Sequence, residues 1–166
     1  MIHHITIASE NPRRVGEALA EILPGKAVHM VPSDAHPFPS GTCLVFCGDE
    51  YGTSIDILPF QTELHPGDEV RDQFVKNPAA SGFTATHAAV SVNTSIEHIE
   101  QIAAREGWRA IRTSRGGAYE VMEVWLENRV MLELLPPEFS AQYAEAMHPR
   151  NIDAIVQFLS TGSEPQ

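Results

Sequence analysis

Hydrophobic residues in the first part of the chain follow two different periods. In the segment HHITIAS, which begins at His3, apolar residues alternate with polar ones, as in a β-strand with one buried face. In the next segment, ENPRRVGEALAEILPG, apolar residues recur every three or four positions, which predicts a helix with Asn11 as its N-cap and Pro12 at its first position. Three further apolar runs, KAVHMV, TCLVFC and TSIDILP, predict strands, and the last two form a hairpin around the turn GDEYG. Residues 1–59 therefore have the predicted order βαβββ.

The same order of elements returns in residues 84–136. The segments THAAVSV, WRAIRT, AYEVMEVWLE and VMLELLP predict four strands, and SRGG predicts a turn between the second and the third. Between the first two strands, NTSIEHIEQIAAREG predicts a helix that begins with a capping box formed by Thr94 and Glu97 and ends at Gly107. A repeated order of elements indicates two copies of one structural unit.

The predicted fold class is α+β. Each βαβββ module is expected to form a curved mixed sheet with its helix on the outer side, and the two sheets surround a central cavity. Residues 60–83 connect the modules, and residues 137–166 are predicted to hold two short helices and a tail. The connector is long enough for the modules to pair within one chain or to exchange between two chains, so the sequence leaves both arrangements open.

Each module carries one acidic residue in the middle of its last apolar strand. These residues are Asp56 in TSIDILP and Glu133 in VMLELLP. Burying an unpaired carboxylate costs several kcal/mol, so each needs a partner. Strand alternation places His4 and His87, on the first strands of the two modules, on the same helix-free faces as the acids. If the two faces join, two imidazoles and two carboxylates line one cavity, a donor set that suits Zn²⁺, Mn²⁺, Fe²⁺, Co²⁺ or Ni²⁺.

Paired βαβββ modules with a histidine on each first strand and an acid on each last strand resemble the vicinal oxygen chelate superfamily. This superfamily includes glyoxalase I, methylmalonyl-CoA epimerase, extradiol dioxygenases and the fosfomycin- and bleomycin-resistance proteins, and the resemblance covers residues 2–136. It implies a divalent metal ion held by His4, Asp56, His87 and Glu133. The metal would act as a Lewis acid on two neighbouring substrate oxygens, with Glu133 as general base. Asp56 departs from the usual glutamate (glutamine in the epimerases), which leaves its role as a ligand open.

Three functions follow from this resemblance. The first is a metal-dependent lyase, isomerase or epimerase acting on a small oxygenated substrate. The second is a metal-free protein that binds a small molecule in the same cavity, as the bleomycin-resistance type does. The third is an extradiol-type dioxygenase, which would need Fe²⁺ or Mn²⁺. The sequence does not identify the substrate, because one fold carries many chemistries.

Four more residues lie near the predicted site. Glu123 and Trp125 share one face of their strand and are interpreted as ordinary sheet residues, with an extra acid and a pocket wall as the alternative. Arg112 and Arg115, close to the predicted turn, are open to two interpretations: a clamp for an anionic substrate, or a solvated turn.

Composition excludes several partners. The formal net charge of −11 disfavours nucleic acid and anionic membranes. The N-terminal segment lacks the pattern of a signal peptide and no apolar run is long enough for a membrane span, so a cytoplasmic protein is expected. Cys43 and Cys47 match no metal or redox motif and are interpreted as small apolar residues. The resemblance implies a homodimer that binds a small molecule.

Overall fold

The computed structural model describes residues 3–31, 38–49, 52–65, 73–80, 82–115 and 117–151. The first module has the predicted order βαβββ. Its sheet has the strand order β1-β4-β3-β2, in which β1 and β4 are parallel and the other neighbours are antiparallel. The elements are β1 (His4–Ser9), α1 (Pro12–Ile22), β2 (Lys26–His29), β3 (Cys43–Phe46) and β4 (Ser54–Pro59).

The connector between the modules contains a hairpin that the sequence did not predict. Strands β5 (Thr62–His65) and β6 (Gln73–Lys76) pair with each other as an antiparallel two-stranded sheet. Their segments are short and carry charged residues at several positions, so they lack the clear alternation that marks the strands of the two modules.

The second module repeats the topology of the first. Its sheet has the order β7-β10-β9-β8, and β7 is parallel to β10. The elements are β7 (Ala88–Ser91), α2 (Ile96–Glu106), β8 (Arg109–Arg115), β9 (Tyr119–Leu126) and β10 (Val130–Leu135). The α+β prediction and the paired modules are confirmed.

After the second module the chain forms α3 (Pro137–Ala146) and a short 3₁₀ helix (Pro149–Asn151). The first predicted C-terminal helix is therefore present, and the second falls almost wholly outside the described residues. Within the described part of the chain, no helix has the length and apolar character needed to cross a membrane.

The predicted ends of both helices are confirmed except at the start of α2. Asn11 caps α1 by accepting a hydrogen bond from the backbone N–H of Arg14 at 3.1 Å, and Gly107 ends α2 in the left-handed conformation with φ 74°. The N-cap of α2 is Ser95, so the predicted capping box at Thr94 is wrong. The buried Thr94 hydroxyl instead donates to the carbonyl of Ile22 at 2.5 Å, which satisfies a polar group where the two modules meet.

One apolar core joins the two modules. It combines the inner faces of α1 and α2 with the helix-facing sides of both four-stranded sheets. Helix α1 approaches its sheet so closely that a Cβ at Gly16 would lie 2.4 Å from the Sγ of Cys43, which agrees with the interpretation of this cysteine as a small apolar residue. The fully buried aliphatic side chains of the core include Val15, Leu19, Ile22, Ile57, Ile99, Ile102, Leu132 and Leu134.

The turn between β9 and β10 also joins the modules. Glu127 and Asn128 both have positive φ, 49° and 56°, as in the type I′ turns of two-residue hairpins. The Glu127 carboxylate accepts hydrogen bonds from the backbone N–H groups of Glu10 and Asn11 at 2.6 and 2.8 Å. A carboxylate from the second module thus lies at the positive N-terminal end of α1, where it is stabilising.

Ion pairs connect α1 with α2 on their outer sides. The Glu106 carboxylate accepts hydrogen bonds from Arg14 and, at 2.7 Å, from Arg105, and Arg105 also reaches Glu21 at 2.9 and 3.0 Å. Burial raises the pKa of Glu106, but the hydrogen bonds from the two guanidinium groups outweigh it and hold the pKa below its ordinary value. The ionised form of Glu106 therefore stabilises the contact between the modules.

We expect Glu106→Gln to lower the free energy of unfolding by about 1–2 kcal/mol at neutral pH. Because folding lowers the pKa of Glu106, its contribution is present above the range where a free glutamic acid titrates and is lost as the pH falls through the folded value. The difference between wild type and variant should therefore shrink toward about pH 3, as measured by urea denaturation. Glu100→Gln, an exposed change on the same helix, is the control. An equal loss at both pH values would contradict the assignment.

Candidate functional site

The two histidine–acid pairs occupy the same register in their modules. In the parallel pairing of β1 with β4, Asp56 lies opposite Thr6, two residues beyond His4. In the parallel pairing of β10 with β7, Glu133 lies opposite Ala89, two residues beyond His87. The predicted equivalence of the two pairs therefore holds in strand register. One detail differs, because β7 begins at Ala88 and His87 directly precedes it.

In the first module, His4 and Asp56 lie at one cavity of about 570 Å³. The sheet of the first module contributes one side of the cavity through β1 and β4, and the β5–β6 hairpin contributes the other side. The cavity is lined by His4, Thr6, Ile7, Ala8, Phe38, Asp56, Leu58, Thr62, Leu64 and Phe74.

The environment of Asp56 combines burial with two polar neighbours. Burial raises the pKa of Asp56, while the positive charge of His4 and a hydrogen bond with Ser54 act in the opposite direction and do not offset it. The half-buried carboxylate of the first module thus has an imidazole and a hydroxyl as its neighbours rather than a strong cation.

In the second module, the partner of the buried Glu133 is an arginine. The Glu133 side chain is 10% exposed, and its carboxylate accepts a hydrogen bond from the Nε of Arg115 at 3.1 Å and a second one from the Nη2 of the same residue. The Nη2 also donates to Glu123 at 2.9 Å. Arg115 therefore compensates two carboxylates on neighbouring strands, since Glu123 lies directly opposite Glu133.

Arg115 is the site residue whose position the sequence analysis misjudged. The segment SRGG was predicted to be a turn, but β8 continues through Ser114 to Arg115, which pairs with Tyr119 of β9. The alternation of β8 then places Arg115 on the same face as Glu123 and Glu133. This signal was present in the sequence, but it depended on where the strand ends, and adjacent glycines obscured that point.

The neighbouring residues separate into two groups. Trp125 lies on the same strand face as Glu123, and its indole N–H is buried without a hydrogen-bond partner within the described chain. Arg112 points away from this group, since its guanidinium hydrogen-bonds the carboxylate of Glu120 and lies 5.0 Å from the centre of the Phe139 ring. Arg112 therefore does not join Arg115 in a two-arginine clamp.

His87 is exposed, and one of its ring nitrogens faces a backbone carbonyl. Its Nδ1 lies 3.0 Å from the carbonyl oxygen of Ala85, a distance at which a protonated Nδ1 donates a hydrogen bond. In that tautomer the Nε2 carries the lone pair and is available as a metal ligand or proton acceptor.

The four predicted ligands do not form one cluster within the described part of the chain. No three histidine, cysteine, aspartate or glutamate side chains of the described residues lie close enough to hold a metal ion together. Each module offers one imidazole and one carboxylate, which are suitable donors for a divalent transition metal, whereas a protein site normally needs three or four. The type of donor therefore fits a metal ion. The four donors that a metal site needs would be present only if the pair from a first module and the pair from a second module lay at one site.

We expect Arg115→Met to lower the free energy of unfolding by about 3 kcal/mol, because it leaves the buried Glu133 beside Glu123 without a cation. Adding Glu133→Gln to this variant should recover part of the loss. Urea denaturation at neutral pH measures both effects. The matched control is Arg112→Met, whose half-exposed ion pair is expected to contribute about 1 kcal/mol or less. Equal losses for the two arginine variants would show that Arg115 does not compensate a buried charge.

Comparison with solved structures supports the fold. The fosfomycin resistance protein FosX from Mesorhizobium loti superposes with a TM-score of 0.51 at 15% identity, over 87% of this chain and 97% of that chain. FosX from Listeria monocytogenes, in complex with Mn(II) and a sulfate ion, gives a TM-score of 0.53 at 12% identity, over 89% and 98% of the two chains. No protein-family model and no curated protein matches the sequence.

This chain therefore has the paired-module fold of these two FosX structures. Both FosX structures are matched over nearly their whole length, so the similarity includes both modules and their connection. At identities this low the similarity shows the fold and not the activity.

Proposed function

We propose that this protein is a divalent-metal-dependent lyase, isomerase or epimerase acting on a small oxygenated substrate. The metal would be held by His4 and Asp56 from a first module and by His87 and Glu133 from a second module. The observation that carries the proposal is the identical register of the two histidine–acid pairs, each on the helix-free face of a parallel strand pair. The Mn(II) in FosX from Listeria monocytogenes supports Mn²⁺ as one of the ions to test.

The two pairs do not form one cluster within the described chain, so we propose that they meet between two copies of the protein. The first module of one copy would face the second module of the other, which gives two equivalent sites per homodimer. Each site would then hold two imidazoles and two carboxylates, with positions left for substrate oxygens.

Bound metal would supply a Lewis acid toward two neighbouring oxygens of the substrate. The residues of this chain would orient the substrate and move the proton. Glu133 is the proposed general base, because a carboxylate that is largely removed from water and lies at the metal can take a proton from a neighbouring carbon. Arg115 orients this carboxylate through two hydrogen bonds that both end on Oε1, which leaves Oε2 free of Arg115 for proton transfer.

Metal content tests the proposal directly. Untagged protein, dialysed against Zn²⁺, Mn²⁺ and Ni²⁺ in turn, should hold near-stoichiometric metal by plasma mass spectrometry. The double variants His4→Ala/Asp56→Ala and His87→Ala/Glu133→Ala should each lose it. The control His98→Ala/Glu100→Ala removes the same residue types from the exposed side of α2 and should retain the metal. Wild-type protein that binds none of these ions would refute the metal-dependent function.

Mixing the two double variants tests the arrangement between copies. Neither variant binds metal alone, but a mixed dimer joins an intact first module to an intact second module. After unfolding and refolding together, about a quarter of the sites should regain metal, because half of the dimers are mixed and each contains one intact site. If the mixture stays metal-free while wild type binds metal, both pairs of a site come from the same chain.

A metal-free small-molecule-binding protein is the second candidate. It is favoured by Arg115, which donates hydrogen bonds to both Glu133 and Glu123, so each of these carboxylates has a cationic partner without a metal. Oxygen consumption with a catechol substrate would distinguish the third possibility, an extradiol-type dioxygenase, from both.

A further inference from the structure

We propose that, without a bound metal, the first-module cavity binds a molecule with an apolar, ring-sized body and a neutral or cationic polar end, and that it disfavours carboxylates and phosphonates. This inference rests on the second candidate function, a metal-free binding protein, and it names the class of ligand that the surroundings of His4 and Asp56 accept. It follows from the cavity's apolar walls, from the Asp56 carboxylate at its base and from the lack of lysine and arginine among the described residues that line it.

The cavity has the size and walls of a small-molecule site. Its volume of about 570 Å³ falls within the range of ligand pockets in proteins, which is roughly 300–1,000 Å³. The rings of Phe38 and Phe74 lie 5.8 Å apart and form part of the wall. Leu58 and Leu64 contribute aliphatic surface, and Leu64 is 59% exposed, so part of this apolar wall is open to a ligand. A planar or branched apolar group would cover this surface.

The polar side chains of the cavity lining comprise one acid, one imidazole and two hydroxyls. Asp56 and His4 lie on the strands of the first sheet, and the hydroxyls of Thr6 and Thr62 are also part of the lining. Among the residues described as lining the cavity there is no lysine or arginine. A ligand amine or hydroxyl can donate to the Asp56 carboxylate, whereas an anionic group would meet a like charge in a partly buried place.

Two basic residues, one on the hairpin that lines the cavity and one in the second module, donate hydrogen bonds to groups outside the cavity lining. On the β5–β6 hairpin, Lys76 donates to the carbonyl of Phe60 at 2.8 Å. In the second module, Arg115 donates to two carboxylates. The net charge of −11 adds a general repulsion of anions. The cavity therefore selects its ligand by apolar contact and by the charge of Asp56.

Three probes with the same phenyl ring and different polar ends test this inference: 2-phenylethylamine, 2-phenylethanol and 3-phenylpropanoate. Each is titrated into chelator-treated full-length protein, and binding is followed by two-dimensional amide NMR. We expect the amine to bind most tightly, the alcohol next, and the carboxylate at least tenfold more weakly than the amine, which corresponds to about 1.4 kcal/mol. The largest shifts should fall on β4 and β6.

Two variants locate the effect. Asp56→Asn keeps the shape of the side chain and removes its charge, so the preference for the amine over the carboxylate should fall to about threefold or less. Leu64→Ser changes an exposed wall residue and should weaken all three probes by a similar factor of about three. Glu100→Gln, a charge change on the exposed side of α2, should change neither property.

Three results would overturn the inference: no binding of any probe at millimolar concentration, a carboxylate that binds as tightly as the amine, or an unchanged preference in Asp56→Asn. Because the titrations use metal-free protein, their outcome does not depend on whether the chain binds a metal. Failure of the metal-dependent function is read from metal content instead, so the two failures are distinguishable.

Discussion

The parallel pairing of the first and last strand in each module is the constraint on which the rest of the structure depends. Parallel neighbours need a crossover connection, and in both modules the helix and two intervening strands provide it. The helix covers one face of the sheet, so apolar residues of the central strands fill that face. The opposite face carries the predicted site residues, and the register of the parallel pair places each histidine two residues before the position opposite the acid.

The two modules stabilise their buried carboxylates in different ways. Asp56 is half buried beside a cavity, with His4 and Ser54 as neighbours, and burial raises its pKa. Glu133 is buried more completely and is held by the guanidinium of Arg115, which also binds Glu123. The two modules thus share a topology and differ in their chemistry: the first has an open cavity with an acid at its base, and the second has an internal ion-pair network.

This difference between the two modules affects both proposed functions, metal-dependent catalysis and metal-free binding of a small molecule. A metal ion would add a positive partner to both acids, but in the second module it would have to share Glu133 with Arg115. Where no metal binds, the first-module cavity still offers apolar walls and a carboxylate, which are sufficient to recognise a small molecule. The ion pairs between α1 and α2 and the contact of Glu127 with α1 keep the two modules in one arrangement. In the proposed homodimer they would determine how each helix-free face is presented to the second copy.

Local patterns in the sequence were sufficient to predict the elements and the faces of the site residues. Strand alternation and helical periodicity act over a few neighbouring residues, so the α+β class, the two βαβββ modules and the shared register of His4 with His87 and of Asp56 with Glu133 could all be read from the chain. Tertiary structure decided the partners. Thr94 turned toward the Ile22 carbonyl, Ser95 became the N-cap, β8 extended to Arg115, and the connector folded back as a hairpin over Asp56. Each of these outcomes depends on a group that is distant in sequence and near in space, because buried polar groups are satisfied by whatever the packing of the whole chain brings within hydrogen-bonding distance.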